Sequence, residues 1–454
     1  MSGTYSVAVV PFGSGTGSFT ATLSTPVARN LLLEGGPTNV SLTRAGQAAQ
    51  LTFTGTAGQT LGLGITGLTL SPASSTSAQV VVYAPDGSPQ YSNNCPTTAP
   101  VCPLNLSNLP MSGTYSVVVA PQNSGTGTFT ATLSHEATGV LTAGTPLNLN
   151  LSRAGQTGRL TFNGAAGDVL GLGFTGVTLT NAYVLVYKPD GTYFANITFS
   201  NGSTTTLSLP PLPVTGTYTV LITPGVTTGG SMTFLLSPAL QVPLTLGGAP
   251  SNVNLATAGQ PAQLKFIGSV GQNLGLGITG LTLSPVSSTS ADVYIYKPDG
   301  SRLMYMACPT TSPGCELNLS KLPVNGTYSV VVAPLSGSGS FTATLSSDVT
   351  GTLTLGTPLN LNLSRPGQNG SLTFSGTAGT SPTLTFSAIN INPAAQYVNF
   401  AVSDGTYSYY IASTNGASPM PPFHLYSLPT TGTYTLFVDP SYAATTTMSV
   451  TLSP

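Results

Sequence analysis

Charge is what this chain of 454 residues has least of: 5% of its residues are Asp, Glu, Lys or Arg, against roughly 25% in an ordinary globular domain. Ten cations and eleven anions leave a net charge of -1. No Lys/Arg cluster exists to contact phosphates and no field exists to steer them, so a nucleic-acid partner is not expected. Near-zero charge also removes the repulsion that keeps soluble copies apart. Low charge invites a membrane reading, but no run of about 18 apolar residues occurs, so no transmembrane segment is expected. Tryptophan is absent, and with it the usual stacking platform for sugars. Tyrosine can substitute, and Tyr407, Tyr409 and Tyr410 crowd the last part of the chain, either as ligand-facing rings or as strand filler.

Histidine is almost as scarce. His135 and His424 are the two present, and neither has a nucleophilic Ser or Cys or a carboxylate at a recognisable spacing. The acids are scattered or sit in turns, as Asp86, Asp190 and Asp299 do. The chain is therefore expected not to be an enzyme, with no catalytic residue and no cofactor. Gly62-Leu-Gly-Ile-Thr-Gly67, Gly171 to Gly176 and Gly275 to Gly280 fit a dinucleotide fingerprint. That fingerprint needs a helix after the loop and an acid about 20 residues on. Here glycine alternates with leucine inside a strand-like run, which points instead to a close approach by neighbouring backbone.

What the chain has is repetition. Leu109-Pro-x-x-Gly-Thr-Tyr115 recurs as Leu212-Pro to Tyr218, Leu322-Pro to Tyr328 and Leu428-Pro to Tyr434, with a cut copy at Met1 to Tyr5. The box glycines at 3, 113, 216, 326 and 432 are 110, 103, 110 and 106 residues apart. Residues 61–72 recur unchanged at 274–285, an offset of 213. The array therefore reads A-B-A-B. After each box Tyr, apolar residues fall at every second position, as in Tyr115, Val117 and Val119, and a Pro follows six residues after the Tyr. Period two marks a strand with one buried face, and proline ends it.

Each full unit holds seven or eight such runs, in the first at roughly 30–34, 38–43, 48–55, 60–70, 78–84, 101–107, 113–120 and 126–134. Nothing of helical period competes. Short, regularly spaced strands with Gly/Pro turns predict an all-β chain, a tandem array of Ig-like or jelly-roll-like β-sandwich domains. The expected divisions are a truncated hairpin of a preceding repeat at 1–24, then repeats A1 at 25–134, B1 at 135–237, A2 at 238–346 and a diverged B2 at 347–454. On this reading the sequence is a window on a longer array, and its lack of a signal peptide carries no weight about secretion. Tyr115, Tyr218, Tyr328 and Tyr434 are candidate tyrosine corners, in which a buried hydroxyl returns to backbone just upstream; the plainer reading is a strand residue.

The four cysteines form two matched pairs, Cys95/Cys102 and Cys308/Cys315. Equal spacing in both A units and no His or further Cys nearby favour two local disulfides over a metal site. An oxidising compartment follows, with the bonds pinning a Pro-rich tip.

Several stretches resemble the bacterial pre-peptidase C-terminal (PPC) domain of large secreted proteins: Ala258-Gly-Gln260, Asp292 to Gly300, Leu322 to Val332 and Phe341 to Leu345. The resemblance implies a jelly-roll-like module outside the cell or at its surface, attached to an enzyme or part of a surface protein. Some relatives bind Ca²⁺, but the strand acid Asp292 is matched by Gln79 in the first unit, so a general Ca²⁺ role is not supported. The functional expectation is a non-catalytic extracellular structural protein, its repeats forming a filament, stalk or adhesin shaft by self-association into a fibre or surface assembly. The alternative is a module binding carbohydrate or matrix polymer within a larger secreted protein.

Overall fold

A computed structural model describes residues 4–11, 13, 15–200, 202, 205–225, 229–416 and 419–454. Among the described residues the chain is all-β, 57% strand without α-helix. Contacts divide it into two compact units: 1–137 with 151–157 and 223–230, and the remaining residues up to 454.

The first copy sets the pattern. Its strands are β1 (Val27–Asn30), β2 (Thr38–Leu42), β3 (Ala49–Gly55), β4 (Leu61–Ser71), β5 (Ser77–Tyr83), β6 (Pro89–Pro96), β7 (Val101–Leu106), β8 (Gly113–Pro121) and β9 (Thr126–His135). They pair in two sheets, ordered β1-β3-β8-β5-β6 and β2-β9-β4-β7, and the same order recurs in the other three copies. Alternation fixes which residues face in. Leu51, Val80, Tyr115 and Val117 from one sheet join Leu63, Phe129 and Leu133 from the other in one buried cluster. Serine and threonine occupy several of the intervening positions, as Thr52, Ser116, Thr130 and Thr132 do.

The box tyrosines lie at the centre of these cores. Tyr115 is fully buried, stacks on Phe53 at 5.2 Å, and donates its hydroxyl to the Met111 carbonyl at 2.8 Å. Tyr218, Tyr328 and Tyr434 donate to Val214, Val324 and Thr430 in the same way, each at 2.8 Å. The ring supplies apolar area while the hydroxyl satisfies a carbonyl that the strand cannot reach. Tyr218→Phe is expected to cost about 1 kcal/mol, the net value of one buried hydrogen bond. Urea unfolding checks this, and an unchanged midpoint would make the hydroxyl dispensable.

Two expectations need correction. The tandem Ig-like or jelly-roll-like sandwich domains do not hold, because the sheets form a β-solenoid. An Ig sandwich is built of antiparallel sheets, whereas β1 runs parallel to β3. Domains on linkers share few contacts. Here Val169 and Ala239 share a buried cluster with Tyr296, Val331 and Ala333, which lie more than half a repeat further along the sequence. Each repeat stacking on its neighbour is solenoid behaviour. The segment 1–24, expected as the closing hairpin of a preceding repeat, lies partly outside the described residues. Met1 to Gly3, which begin its box, lie outside the described residues, and the described residues from 4 to 26 hold no strand. Tyr5, Val7, Phe19 and Leu23 are exposed.

Second, β6 was not expected as a strand, because its Gln, Ser and Asn content hides an edge strand. Its presence changes what the disulfide does. Cys95 stands on β6, the last strand of one sheet, and Cys102 on β7, the last strand of the other. The bond (S–S 2.05 Å) therefore staples two sheet edges rather than a loose tip. Cys308 and Cys315 repeat it on strands Arg302–Pro309 and Gly314–Leu319. Replacing one pair by serine is expected to cost about 2.5 kcal/mol in the chain-entropy account of an eight-residue loop. Calorimetry with and without reductant measures it. An unaltered transition would remove the staple from the account.

Candidate assembly interface

The Leu-Gly-Leu-Gly stretch of β4 has two unlike faces. Leu61 and Leu63 point into the core and are fully buried. Gly62 and Gly64 alternate with them, so the outer face of the strand there is bare backbone. Onto that face sits the turn Arg153-Ala154-Gly155-Gln156 of the second copy. A Cβ at Gly64 would fall 2.5 Å from the Ala154 carbonyl carbon, and one at Gly62 3.0 Å from the Gln156 Cα. Neither distance is tolerable between carbon atoms. The turn itself requires Gly155, whose φ is +75°.

Side chains then lock the turn in place. Gln156 Oε1 accepts the Ser152 N–H at 2.9 Å, while its Nε2 donates to the His135 carbonyl at 3.1 Å. The Thr132 hydroxyl donates to the Ala154 carbonyl at 3.0 Å. The Arg153 guanidinium donates to the Gly35 carbonyl at 2.6 Å, and its Nε lies 3.6 Å from a Glu34 carboxylate oxygen.

The same seam forms twice more. The turn Ala258-Gly259-Gln260 covers the strand Leu170–Thr175, with the Ala258 carbonyl oxygen 3.2 Å from a Cβ at Gly173. Gln260 donates to the Pro238 carbonyl at 3.2 Å. The turn Pro366-Gly367-Gln368 covers Leu274–Ser284, with the Pro366 carbonyl oxygen 2.5 Å from a Cβ at Gly277. Arg365 donates to the Gly248 carbonyl at 2.5 Å and to the Ser346 hydroxyl at 2.8 Å. These are the glycines of the false dinucleotide pattern, and the backbone they admit belongs to the next repeat.

Beside each turn the seams differ in chemistry. Between the second and third copies the contact is apolar, made by Val169, Ala239 and Ala333. Between the third and fourth it is acidic. Glu316 accepts the Ala443 N–H at 2.9 Å, and Asn369 donates to Asn318 at 2.8 Å. Burial, then the Asp439 charge, pushes the Glu316 carboxyl up to about 7, against a partial offset from the Ala443 and Tyr442 N–H groups. Burial raises Asp348 to about 6, with Asp439 adding to it and a bond from Asn369 opposing it. Asp439 is raised as well, by burial.

The remaining sequence candidates lie elsewhere. Asp292 accepts bonds from the hydroxyls of Tyr294 at 2.9 Å and Tyr305 at 3.1 Å. The His424 ring meets the Thr383 hydroxyl at 2.8 Å, while His135 stands on β9. Among the described residues no group of three His, Cys, Asp or Glu is placed to hold a metal. Tyr409 and Tyr410 border an open cavity of about 390 Å³ that Phe423, Tyr426 and Pro429 also line. Tyr407 is exposed.

No protein-family model matches the chain, nor does any curated protein. Among solved structures it is similar to the pre-peptidase C-terminal domain of a Bacillus anthracis collagenase, at 15% identity and a TM-score of 0.18, over 22% of this chain and 96% of that one. It is similar to the CUB1-EGF-CUB2 domains of human MASP-1/3 at 8% identity and 0.16, over 45% of this chain and 100% of that one. A third is the M60 catalytic domain with CBM51-1 and CBM51-2 of Clostridium perfringens ZmpB, at 8% and 0.14, over 67% of this chain and 36% of that one. At such identities and TM-scores these likenesses transfer neither activity nor ligand, and the PPC domain stands as a weak structural neighbour. No helix among the described residues is long and apolar enough to cross a membrane.

Proposed function

We propose that this is a non-catalytic extracellular structural protein, a repeat array that serves as a filament, stalk or adhesin shaft and associates with further copies of itself. The observation that carries the reading is the glycine seam. It seats a turn of one repeat on a glycine-bearing strand of the repeat before it through backbone contact, as a mechanical element requires. The two disulfides support an oxidising compartment, at the cell surface or beyond it. A nearly chargeless Thr/Ser surface supports lateral contact between chains, since little repulsion opposes it. Electron microscopy with sedimentation over a concentration series tests the reading. Fibres or lateral bundles are expected, and dispersed monomers up to about millimolar concentration, where association is worth less than about 4 kcal/mol, would end it.

A second reading rests on the tyrosine-lined cavity of the last copy, where Tyr410 and Tyr426 are exposed. Aromatic faces beside a cavity are a platform on which a polysaccharide can lie. Under this reading the protein sediments with an insoluble polysaccharide, and Tyr410→Ala with Tyr426→Ala abolishes this. Equal retention of wild type and variant removes it.

A further inference from the structure

The first copy carries the same turn as the others, Arg44-Ala45-Gly46-Gln47, with nothing among the described residues seated against Gly46. Gly46 has φ +72°, against +75°, +76° and +74° at Gly155, Gly259 and Gly367. Gln47 Oε1 accepts the Thr43 N–H at 3.0 Å and its Nε2 donates to the Thr25 carbonyl at 3.0 Å. Gln156 makes the same pair of bonds, to Ser152 and to His135. The adjoining turn is in place too, since the Gly46 N–H reaches the Ser124 carbonyl at 3.3 Å just as Gly259 reaches Gly337 at 2.8 Å. The shape of the seam is thus preformed. Yet Ala45 is exposed where Ala154 is 8% exposed, and a Cβ at Gly46 would have no neighbour within 4 Å.

The last copy differs at the complementary strand. Thr383–Asn392 aligns with Leu274–Ser284 through Pro393 and Pro285 and through the positive φ at Ala388 (+50°) and Gly280 (+61°). In that alignment Thr383 and Thr385 stand where Gly275 and Gly277 stand. Each brings a branched Cβ into space that an incoming turn fills with its own backbone in the other three seams.

We propose that the Arg44–Gln47 turn is an interaction surface whose partner is a Leu-Gly-Leu-Gly strand on another repeat of this kind, and that Thr383 and Thr385 close the last copy to that contact. The partner is specified by three internal seams of one geometry, so the surface continues an interface already built into the chain. End-to-end stacking of two such chains through this seam is blocked by two methyl-bearing side chains. Side-by-side association is independent of it.

The test uses the full chain with Thr383→Gly and Thr385→Gly together, compared with wild type by analytical ultracentrifugation. The double variant is expected to associate end to end, with at least a tenfold lower dissociation constant than wild type, and addition of Ala45→Trp is expected to reverse the gain. Lateral association, if wild type shows it, is expected to be unaffected by Ala45→Trp, which separates failure of this proposal from failure of the filament reading. Thr385→Gly alone, which leaves the Thr383 bond to His424, carries the test if the double variant does not fold. Variants that fold but associate no more than wild type, or a gain that survives Ala45→Trp, would overturn the proposal.

Discussion

Gly64→Val is expected to release the Arg153–Gln156 turn while leaving the first copy's core filled. The new side chain points away from that core, so no cavity is made. It meets the carbonyl group of Ala154, with its Cβ 2.5 Å from the carbonyl carbon. Backbone on both sides of the contact cannot rotate away as a side chain tip would. Overpacking of this kind costs about 1–3 kcal/mol, and the hydrogen bonds that hold the turn, Thr132 to Ala154 and Gln156 to His135, add about 1 kcal/mol each. The loss should be local, since repeats of a solenoid couple through nearest neighbours. Hydrogen exchange reads it directly: protection at Gly155 and Gln156 should fall by at least a hundredfold, while Val117 and Val119 on β8 keep theirs. Unchanged protection across residues 151–157 would show that the turn does not need the bare strand.

The seam between the third and fourth copies should loosen as pH rises. Glu316, Asp348 and Asp439 all have carboxyl groups held above their ordinary range, Glu316 at about 7 and Asp348 at about 6. A folded-state value above the unfolded one means that the folded seam binds the proton more tightly than the open one. The contribution is then complete below about pH 4 and is lost as pH passes through 6 to 7. Its size is on the order of 3 kcal/mol, since one unit corresponds to about 1.4 kcal/mol and the three groups share one field. Asp439→Asn removes the charge that raises both of the others while keeping an acceptor for Asn318. Urea midpoints at about pH 5.5 and pH 8 should differ in wild type, with the acidic sample the more stable, and the difference should shrink in the variant, burial of Glu316 and Asp348 keeping the remainder. A wild type more stable at the higher pH would reverse the sign and discard the mechanism. The apolar seam of Val169, Ala239 and Ala333 has nothing to titrate and should ignore this change.

Much of the chain was legible because its signals are local. Period-two alternation placed β3, β4, β5, β8 and β9 within a residue or two, and the Pro-Asp-Gly turns announced themselves. The tyrosine hydroxyls return to the residue four positions upstream, a contact within reach of a single motif. The paired cysteines likewise stand seven residues apart. The staple role of the disulfide was not legible, because it depends on β6, a strand of polar residues that earns its place by pairing with β5 and not by burying a face. The solenoid was missed for a related reason. Period two tells which face of a strand is covered but not by what, and a glycine on the other face reads as weakness in the strand. Only the recurrence of Leu-Gly-Leu-Gly in the same three copies that are followed by an Ala/Pro-Gly-Gln turn carried the signal. That signal joins residues about 90 apart, and no periodicity within one repeat contains it. The acidic seam was equally hidden, since Glu316, Asp348 and Asp439 are spread over 124 positions, 316 to 439, and only Asp348 has an acidic counterpart in another copy, Glu136.

Limited trypsin digestion of the native chain tests the backbone seam most directly, because the chain contains its own control. Arg44 and Arg153 open the same turn and each precedes an alanine, but only the second is seated on a glycine-bearing strand. Cleavage after Arg44 is expected to be complete while the Arg153–Ala154 bond is still intact, with rates at least tenfold apart, as the free energies of local opening require. Cleavage of the two bonds at the same rate would contradict the account, for it would mean that the repeats are not held by the contact described.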